Sequence, residues 1–285
     1  MQLRLEKFTA SNQVDAISFL SRYENTSIFL LGNLNEHGPC LGLHVNSGNF
    51  KLIRQDDTII CVFCLTRRGN LLIQSELIQP IFELITESCL EESIPIRGVI
   101  GDWKFAKEYW QYLIGCEIIK KEIFCSKEIN YSLPLDDWQS FDVRKGRCLE
   151  TTDYHLWKLL RIDYLVEQGL PQDLSDEEMR DEFTRKCKKS MIWGLFIESQ
   201  LISIAELNAK TNRLATVGGV YTIKNWRMKG YGKALMKQLI FDCKNTLSLH
   251  KLIIFTGEDE NIAAQKLYEA LGCQKVGYMA LFFGE

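Results

Sequence analysis

The chain has 285 residues, of which 46% are hydrophobic and 25% charged, and this composition excludes a disordered or low-complexity protein. Its 34 basic and 37 acidic residues give a net charge of −3, so it lacks the basic excess that nucleic-acid-binding proteins use. The apolar runs are shorter than the roughly 20 residues of a membrane-spanning helix, and the N-terminus has no apolar signal core. We therefore expect a cytoplasmic protein that binds neither membranes nor nucleic acids.

The first half of the chain predicts ten helices and strands in alternation. In order, they are strand Leu3–Phe8, helices Asn12–Arg22 and Ser27–Asn35, strands Phe50–Arg54, Thr58–Leu65 and Leu71–Gln74, helix Glu76–Cys89, strand Ile96–Ile100, helix Phe105–Leu113 and strand Glu117–Cys125.

Seven of the ten cysteines lie in apolar stretches, as core thiols do. They are Cys61, Cys64, Cys89, Cys116, Cys125, Cys243 and Cys273. Cys61 and Cys64 have C-x-x-C spacing, but residues three apart in a strand point to opposite faces of the sheet. We therefore expect reduced core thiols, which suit a cytoplasmic protein, and no metal site.

The second half repeats the order of elements found in the first. Its predicted elements are strand Cys148–Thr152, helices Asp153–Gln168 and Ser175–Lys188, strands Met191–Glu198, Leu201–Ala209 and Leu214–Thr222, helix Lys229–Lys244, strand Lys251–Thr256, a helix from Asn261, and a final strand pair over Cys273–Phe283. Ser175 and Glu178 have the spacing of a capping box.

This repetition predicts two tandem domains of one fold, 1–138 and 139–285, joined around Asp136–Ser140. The segments Gly101–Cys116 and Gly257–Cys273 also resemble each other at nearly equal length. The alternative is that many α/β domains alternate their elements in this way. In either case the fold class is α/β (α+β).

The segment Ala215–Gly232 predicts an anion site. A strand ending at Thr222 leads through a short loop into Arg227-Met-Lys-Gly-Tyr-Gly232, where a helix begins. Unpaired amides and a partial positive charge at a helix N-terminus attract anions, and glycines allow a close approach of the backbone. With Arg227, Lys229 and Lys233 nearby, this arrangement suits a diphosphate. It is not a P-loop, and it matches the dinucleotide-binding fingerprint only in part.

The pattern R-x-x-G-x-G after a strand, with N-x-x-A-x-x-L-Y about thirty residues later, resembles the GNAT superfamily of acyl-CoA N-acyltransferases. The resemblance covers about Val143 to Phe283. It implies mixed, mostly antiparallel sheets flanked by helices, with acetyl-CoA as co-substrate and no metal. Met228 departs from the pattern, because many relatives carry glycine there. The residues that the resemblance assigns to CoA binding are Val220, Tyr221, Thr222, Arg227, Met228, Lys229, Gly230, Tyr231, Gly232, Lys233 and Asn261.

The resemblance also implies that Tyr268 is catalytic, because a phenol near the sulfur can protonate the departing thiolate. The alternative is that Tyr268 is a core residue, on one helix face with Ala264, Leu267 and Leu271. The attacking amine must lose a proton, and Glu206, Glu198 or a chain of water molecules could accept it. Both glutamates could instead be solvated surface residues.

The first domain departs from the family pattern. Its segment Leu72–Ile81 has no glycine pair and no arginine, so we expect it not to bind the CoA diphosphate. We expect this domain to support the structure or to shape the acceptor pocket. Trp103, Tyr109, Trp110 and Tyr112 could line such a pocket or pack in the core.

The expected activity is direct acetyl transfer from acetyl-CoA to a primary amine of a small molecule or peptide. A transferase for longer acyl groups and a non-catalytic acyl-CoA-binding sensor are the alternatives. The sequence leaves a homodimer open.

Overall fold

A computed structural model describes residues 2–139, 146–172, 174–259 and 261–285. Two predicted boundaries, Ser140 at the end of the linker and Val143 at the start of the family resemblance, lie outside these residues. The helices and strands are β1 (Leu3–Lys7), α1 (Gln13–Arg22), α2 (Glu24–His37), β2 (Gly48–Gln55), β3 (Thr58–Thr66), β4 (Asn70–Ser75), α3 (Phe82–Leu90), β5 (Gly98–Asp102), α4 (Trp103–Gly115), β6 (Glu122–Pro134), β7 (Gly146–Cys148), α5 (Tyr154–Glu167), α6 (Asp176–Lys188), β8 (Ile192–Ile197), β9 (Gln200–Lys210), β10 (Leu214–Thr222), α7 (Tyr231–Asn245), β11 (Lys251–Gly257), α8 (Ile262–Glu269) and β12 (Gln274–Gly284).

The chain forms two compact units that are not its two contiguous halves. The first unit comprises Met1–Asn130, Thr256–Asn261 and Lys275–Glu285, and the second comprises Tyr131–Phe255 and Ile262–Gln274. Almost all of β12 therefore lies in the first unit, whereas the sequence placed this strand in the second domain. It is also one strand and not the predicted pair.

Pairing and burial explain the position of β12. It runs antiparallel to β5, with Met279 opposite Asp102 and Phe283 opposite Gly98. Its side chains Ala280 and Phe282 lie in the hydrophobic cluster that α3 and α4 form against the sheet of the first unit.

In the first unit the strand order is β1-β2-β3-β4-β5-β12, followed by the part of β6 up to Asn130. The β4–β5 pair is parallel, and the pairs β1–β2, β2–β3, β3–β4 and β5–β12 are antiparallel. From Cys61 to Leu65, alternate residues of β3 enter two clusters, one packed by α3 and α4 and the other by α1 and α2. Cys61 belongs to the first cluster and Cys64 to the second, so the predicted opposite orientation of these thiols is confirmed. Burial raises the pKa of both thiols.

The other expectations about the first unit have mixed outcomes. Tyr109 and Trp110 are core residues, and Trp103 and Tyr112 pack against the same cluster while staying partly exposed. Five of the seven cysteines expected in the core are buried, whereas Cys116 and Cys125 are exposed. Cys116 directly follows the end of α4, and Cys125 lies in the exposed first part of β6.

In the second unit the strand order is β11-β10-β9-β8-β7, and the β10–β11 pair is parallel while the other pairs are antiparallel. One face is covered by α5 and α6, whose Trp157 and Phe183 pack against Ile192 of β8. Trp193, the next residue of β8, points to the other face, where its indole nitrogen donates to Asp242 of α7 at 2.8 Å.

Local sequence signals place several elements well. The bounds of β10 match the predicted Leu214–Thr222, and the predicted capping box of α6 is present, with Ser175 and Glu178 bonded to each other's amides. In contrast, α3 begins at Phe82 and not at Glu76, because Pro80 offers no amide donor and restricts the residue before it. No helix in the described ranges is both long and apolar enough to cross a bilayer.

We predict that Ala280→Asp unfolds the first unit preferentially. Ala280 is fully buried, and an unpaired charge there is expected to cost more than about 3 kcal/mol of the free energy of unfolding. Amide hydrogen exchange should rise in β5 more than in β8 and β9. The control is Val276→Asp, since Val276 is 44% exposed on the same strand. Greater loss of protection in β8 and β9 than in β5 would contradict the assignment of β12.

Candidate functional site

The strand β10 leaves its parallel partner before it ends. The pairing runs from Leu214 opposite Lys251 to Val217 opposite Ile254, whereas β10 continues to Thr222. The backbone of Gly218–Thr222 therefore extends beyond the ladder. An extended molecule can hydrogen-bond along such an edge as an added strand does.

On its other side, β10 carries a β-bulge against β9. Gly218 pairs with Glu206 and Tyr221 with Ile204, so Gly219 and Val220 together face a single residue of β9. Gly219 has a φ of 57°, and a Cβ added there would lie 2.8 Å from the Glu206 Oε1 atom. A bulge of this kind redirects backbone amides, and only glycine fits at this position.

The carboxylate beneath the bulge belongs to a buried charge cluster. Glu206 is 2% exposed, its Oε1 accepts a hydrogen bond from Arg161 at 2.9 Å, and its Oε2 lies 3.1 Å from the Lys186 ammonium. Lys186 also pairs with Glu182 at 3.2 Å, and its charge is the main cause that lowers the Glu182 pKa to about 2. The alternative that Glu206 is a solvated surface residue is therefore wrong. Glu198 is exposed, as that alternative expected.

The loop after β10 forms the predicted amide-rich turn. Met228 and Gly230 have positive φ values of 60° and 81°, and α7 begins at Tyr231. The Ala234 amide bonds the Gly230 carbonyl at 2.9 Å, so the amides of residues 231–233 precede the first bond of the helix. Positive φ values in such a turn bring successive amides together in a concave site for an anion.

The predicted cations of this loop differ in their surroundings. Arg227 Nε donates to the Thr222 carbonyl at 2.8 Å, and its Nη2 donates to Glu167 Oε2 at 2.9 Å. The bond to Glu167 is the main cause that raises the Arg227 pKa. Lys229 Nζ donates to the Asn225 carbonyl at 3.1 Å, and Lys233 is exposed in the first turn of α7. Arg227 is therefore directed towards the protein itself.

The end of β10 is fixed by side chains on β9. Ser203 Oγ donates to the Tyr221 carbonyl at 2.8 Å and lies 2.8 Å from Thr222 Oγ1. The Tyr221 ring is buried in the cluster below α5 and α6, and this burial raises its pKa. Val220 is half-buried. The Tyr221 side chain therefore packs in the core, and its carbonyl is bonded by Ser203.

Tyr268 is the buried residue of α8 and is 5% exposed, whereas Ala264 and Leu267 of the predicted apolar face are only partly buried. Its ring meets that of Tyr131 edge to face at an interplanar angle of 61°, with the ring centres 6.0 Å apart. The Tyr131 hydroxyl donates to Glu269 at 3.0 Å, and burial together with this carboxylate raises the Tyr131 pKa to about 12. Asn261 is half-buried and directly precedes α8.

Sequence reasoning missed the residues that surround the predicted site. Glu167, Arg161 and Lys186 lie on helices α5 and α6, and no local motif marks them. The glycine pair at 218–219 inside a strand is a signal that could have predicted the bulge.

The first unit contains an open cleft of about 400 Å³, lined by Ile78, Trp103, Lys104, Lys107 and Glu108. Trp103 thus lines a cleft, and its role in an acceptor pocket stays a prediction. The Asp102 carboxylate beside it accepts hydrogen bonds from the Lys104 and Phe105 amides and so caps α4. That the first domain binds no CoA diphosphate stays a prediction. No group of metal-ligating side chains occurs among the residues that the structure describes.

Comparison with known proteins connects this geometry to one family. Residues 155–273 match the model of the acetyltransferase (GNAT) family. No curated protein sequence matches the chain.

Solved structures match over nearly the whole chain. A Drosophila melanogaster protein has 14% identity and a TM-score of 0.69 over 98% of both chains. A GCN5-related N-acetyltransferase from Sphaerobacter thermophilus has 10% identity and a TM-score of 0.63 over 98% of this chain and 94% of that one. A tandem GNAT protein from the clavulanic acid biosynthesis pathway has 10% identity and a TM-score of 0.53 over 100% of this chain and 98% of that one.

At these identities the structural matches establish the fold. The family match covers α5 to α8, including the bulged strand β10 and the amide-rich turn. Residues 155–273 therefore match the acetyltransferase (GNAT) family model, and the chain as a whole has a tandem GNAT-like fold with mostly antiparallel strands flanked by helices.

Proposed function

We propose that the protein is an N-acetyltransferase that moves the acetyl group of acetyl-CoA directly to a primary amine. We assign this activity to the second domain, 139–285, and structural support to the degenerate first domain, 1–138. The observation that carries the proposal is the course of β10, which leaves β11 after Val217, bulges at Gly219 and ends at an amide-rich turn. This backbone suits a long thioester with a diphosphate.

Donor binding follows from the turn and the strand edge. The amides that precede the first bond of α7 suit a diphosphate, with the exposed cations Lys229 and Lys233 beside them. The amide-bearing pantetheine arm would extend along Gly218–Thr222. We propose that Asn261 also contacts this arm, as the family resemblance implies.

The chemical step needs three groups. A backbone amide redirected by the bulge would polarise the thioester carbonyl, and the neutral amine would attack its carbon. As the carbon–sulfur bond breaks, Tyr268 would give its phenolic proton to the departing thiolate. The nitrogen then loses its extra proton to a base.

We propose Glu206 as that base, because its carboxylate lies directly beneath the bulge. Its Oε1 is held by Arg161, whereas its Oε2 makes no hydrogen bond within the described ranges. The oxygen nearest Gly219 is Oε1, so a proton from the amine would arrive there and displace the hydrogen bond from Arg161.

A non-catalytic acyl-CoA sensor is the second candidate. The two ion pairs of Glu206 favour it, since both carboxylate oxygens already face cations of the protein itself. Such a protein would keep the diphosphate site without turnover.

A thiol-release assay separates these two functions. The protein is incubated with acetyl-CoA and a panel of small amines, amino acids and peptides with free N-termini, while calorimetry measures CoA binding. Thiol release that depends on one class of amine supports the transferase. CoA binding without release across the panel supports the sensor, and the absence of binding contradicts both.

Tyr268→Phe is predicted to lower kcat about 100-fold or more, because it removes the proton donor, while the Kd for CoA is unchanged. The control is Tyr131→Phe, which removes a hydroxyl beside the same ring pair and should leave kcat within about threefold. Equal kcat values for Tyr268→Phe and the wild type, with CoA binding retained, would show that Tyr268 is only a core residue.

Gly219→Ala is predicted to weaken CoA binding at least about tenfold and to lower the free energy of unfolding by about 1–3 kcal/mol. The added methyl would stand 2.8 Å from Glu206 Oε1 on a residue whose φ is 57°. The matched control is Gly115→Ala on α4, where an added Cβ meets no atom within 4 Å. CoA binding by Gly219→Ala at wild-type affinity would show that the bulge does not serve the donor.

A further inference from the structure

Arg227 closes the loop that leads into the diphosphate site. Its Nε donates 2.8 Å to the carbonyl of Thr222, the last residue of β10, so a single side chain spans the turn between the two residues. Its guanidinium lies 5.2 Å from the centre of the Tyr221 ring, which is itself buried. Arg227 therefore joins the end of the bulged strand to the start of the amide-rich turn.

Glu167 holds the other side of the same guanidinium. It is the last residue of α5, and its Oε2 accepts the bond from Arg227 Nη2 at 2.9 Å and lies 4.0 Å from the Lys224 ammonium. The side chains of Arg227 and Glu167 are 35% and 30% exposed, so the pair adds little to the overall stability of the protein. Its effect on the local conformation is larger, because a planar guanidinium that bonds a carbonyl and a carboxylate at the same time has little conformational freedom.

The position of this contact in the chain determines what it controls. Arg227 immediately precedes Met228, whose φ of 60° is unfavourable for a residue with a side chain. The Met228 side chain is 98% exposed and so gains almost no packing that could offset this cost. The turn that gathers the amides therefore depends on an anchor at Arg227.

We propose that Arg227 and Glu167 are positioning residues: their ion pair holds the amide-rich turn in the shape that binds the donor's diphosphate, and Arg227 is not itself a diphosphate ligand. This inference rests on the proposed function, because it assumes that CoA binds at this turn. It replaces the direct role of Arg227 implied by family resemblance with an indirect one.

Removing the charge of Glu167 distinguishes a ligand role of Arg227 from a positioning role, because the two roles predict opposite changes in the Kd for CoA. If Arg227 were a diphosphate ligand, Glu167 would compete with the diphosphate, and Glu167→Gln would tighten CoA binding. If the pair positions the turn, Glu167→Gln loosens the anchor and weakens binding. We expect the Kd for CoA to rise about threefold to tenfold.

A comparison of CoA binding by Arg227→Lys and Arg227→Gln gives a second test. Lysine keeps the positive charge but cannot bond the Thr222 carbonyl and the Glu167 carboxylate in the same fork. We expect Arg227→Lys to weaken CoA binding as much as Arg227→Gln does. The double variant Glu167→Gln/Arg227→Gln should be no weaker than Arg227→Gln alone, because both changes break one anchor.

The experiment measures the Kd of CoA by calorimetry and the KM and kcat of thiol release for two donors, acetyl-CoA and S-acetylpantetheine, which lacks the diphosphate. We expect Glu167→Gln to raise the KM for acetyl-CoA while leaving kcat and the kinetics with S-acetylpantetheine unchanged. A merely structural role would impair both donors. The control is Glu177→Gln, an exposed carboxylate in the first turn of α6.

The outcomes separate this inference from the proposed function. Wild-type protein that binds no CoA contradicts both. Wild-type binding with Glu167→Gln equal to or tighter than wild type, or with Arg227→Lys restoring the affinity that Arg227→Gln loses, overturns the inference and leaves the proposed function standing. Equal loss with both donors overturns it as well.

Discussion

The second unit depends on one close approach, in which the backbone of Gly219 lies over the buried carboxylate of Glu206. Gly219 can take its positive φ so close to Glu206 only because it has no side chain. The Glu206 carboxylate in turn stays buried only because Arg161 and Lys186 compensate its charge. The helices α5 and α6 thus supply the cations that compensate the carboxylate beneath the bulge of β10.

Local patterns in the sequence were sufficient where neighbouring residues decide the structure. The alternation in β3 placed Cys61 and Cys64 on opposite faces, and the spacing of Ser175 and Glu178 placed the start of α6. The position of β12 could not be read in this way. Its apolar residues suit any sheet that needs an antiparallel strand, and the long-range pairing with β5 places it in the first unit.

The candidate site also combines features that local sequence predicts with features that depend on residues far away in the chain. The glycine pattern around Gly230 predicted the amide-rich turn, because positive φ values and helix starts leave local traces. The partner of Arg227 lies 60 residues earlier in the chain, and a glutamate at the end of a helix ordinarily reads as a solvated surface residue. The burial of Glu206 likewise depends on side chains from two distant helices. Long-range charge pairs therefore decided the features that sequence reasoning missed.

The two units differ at helices that follow equivalent strands, and this difference supports the proposed division of labour. In the first unit α3 follows β4, and the residues at its start, Ile81 and Phe82, are buried with exposed fractions of 0% and 6%. In the second unit α7 follows β10, and at its start Tyr231 and Gly232 are half-buried and Lys233 is exposed. A diphosphate is strongly hydrated and needs both amides and an open path from water. Buried apolar residues at the start of α3 remove that path, whereas the start of α7 keeps it, as the proposed donor site in the second unit requires.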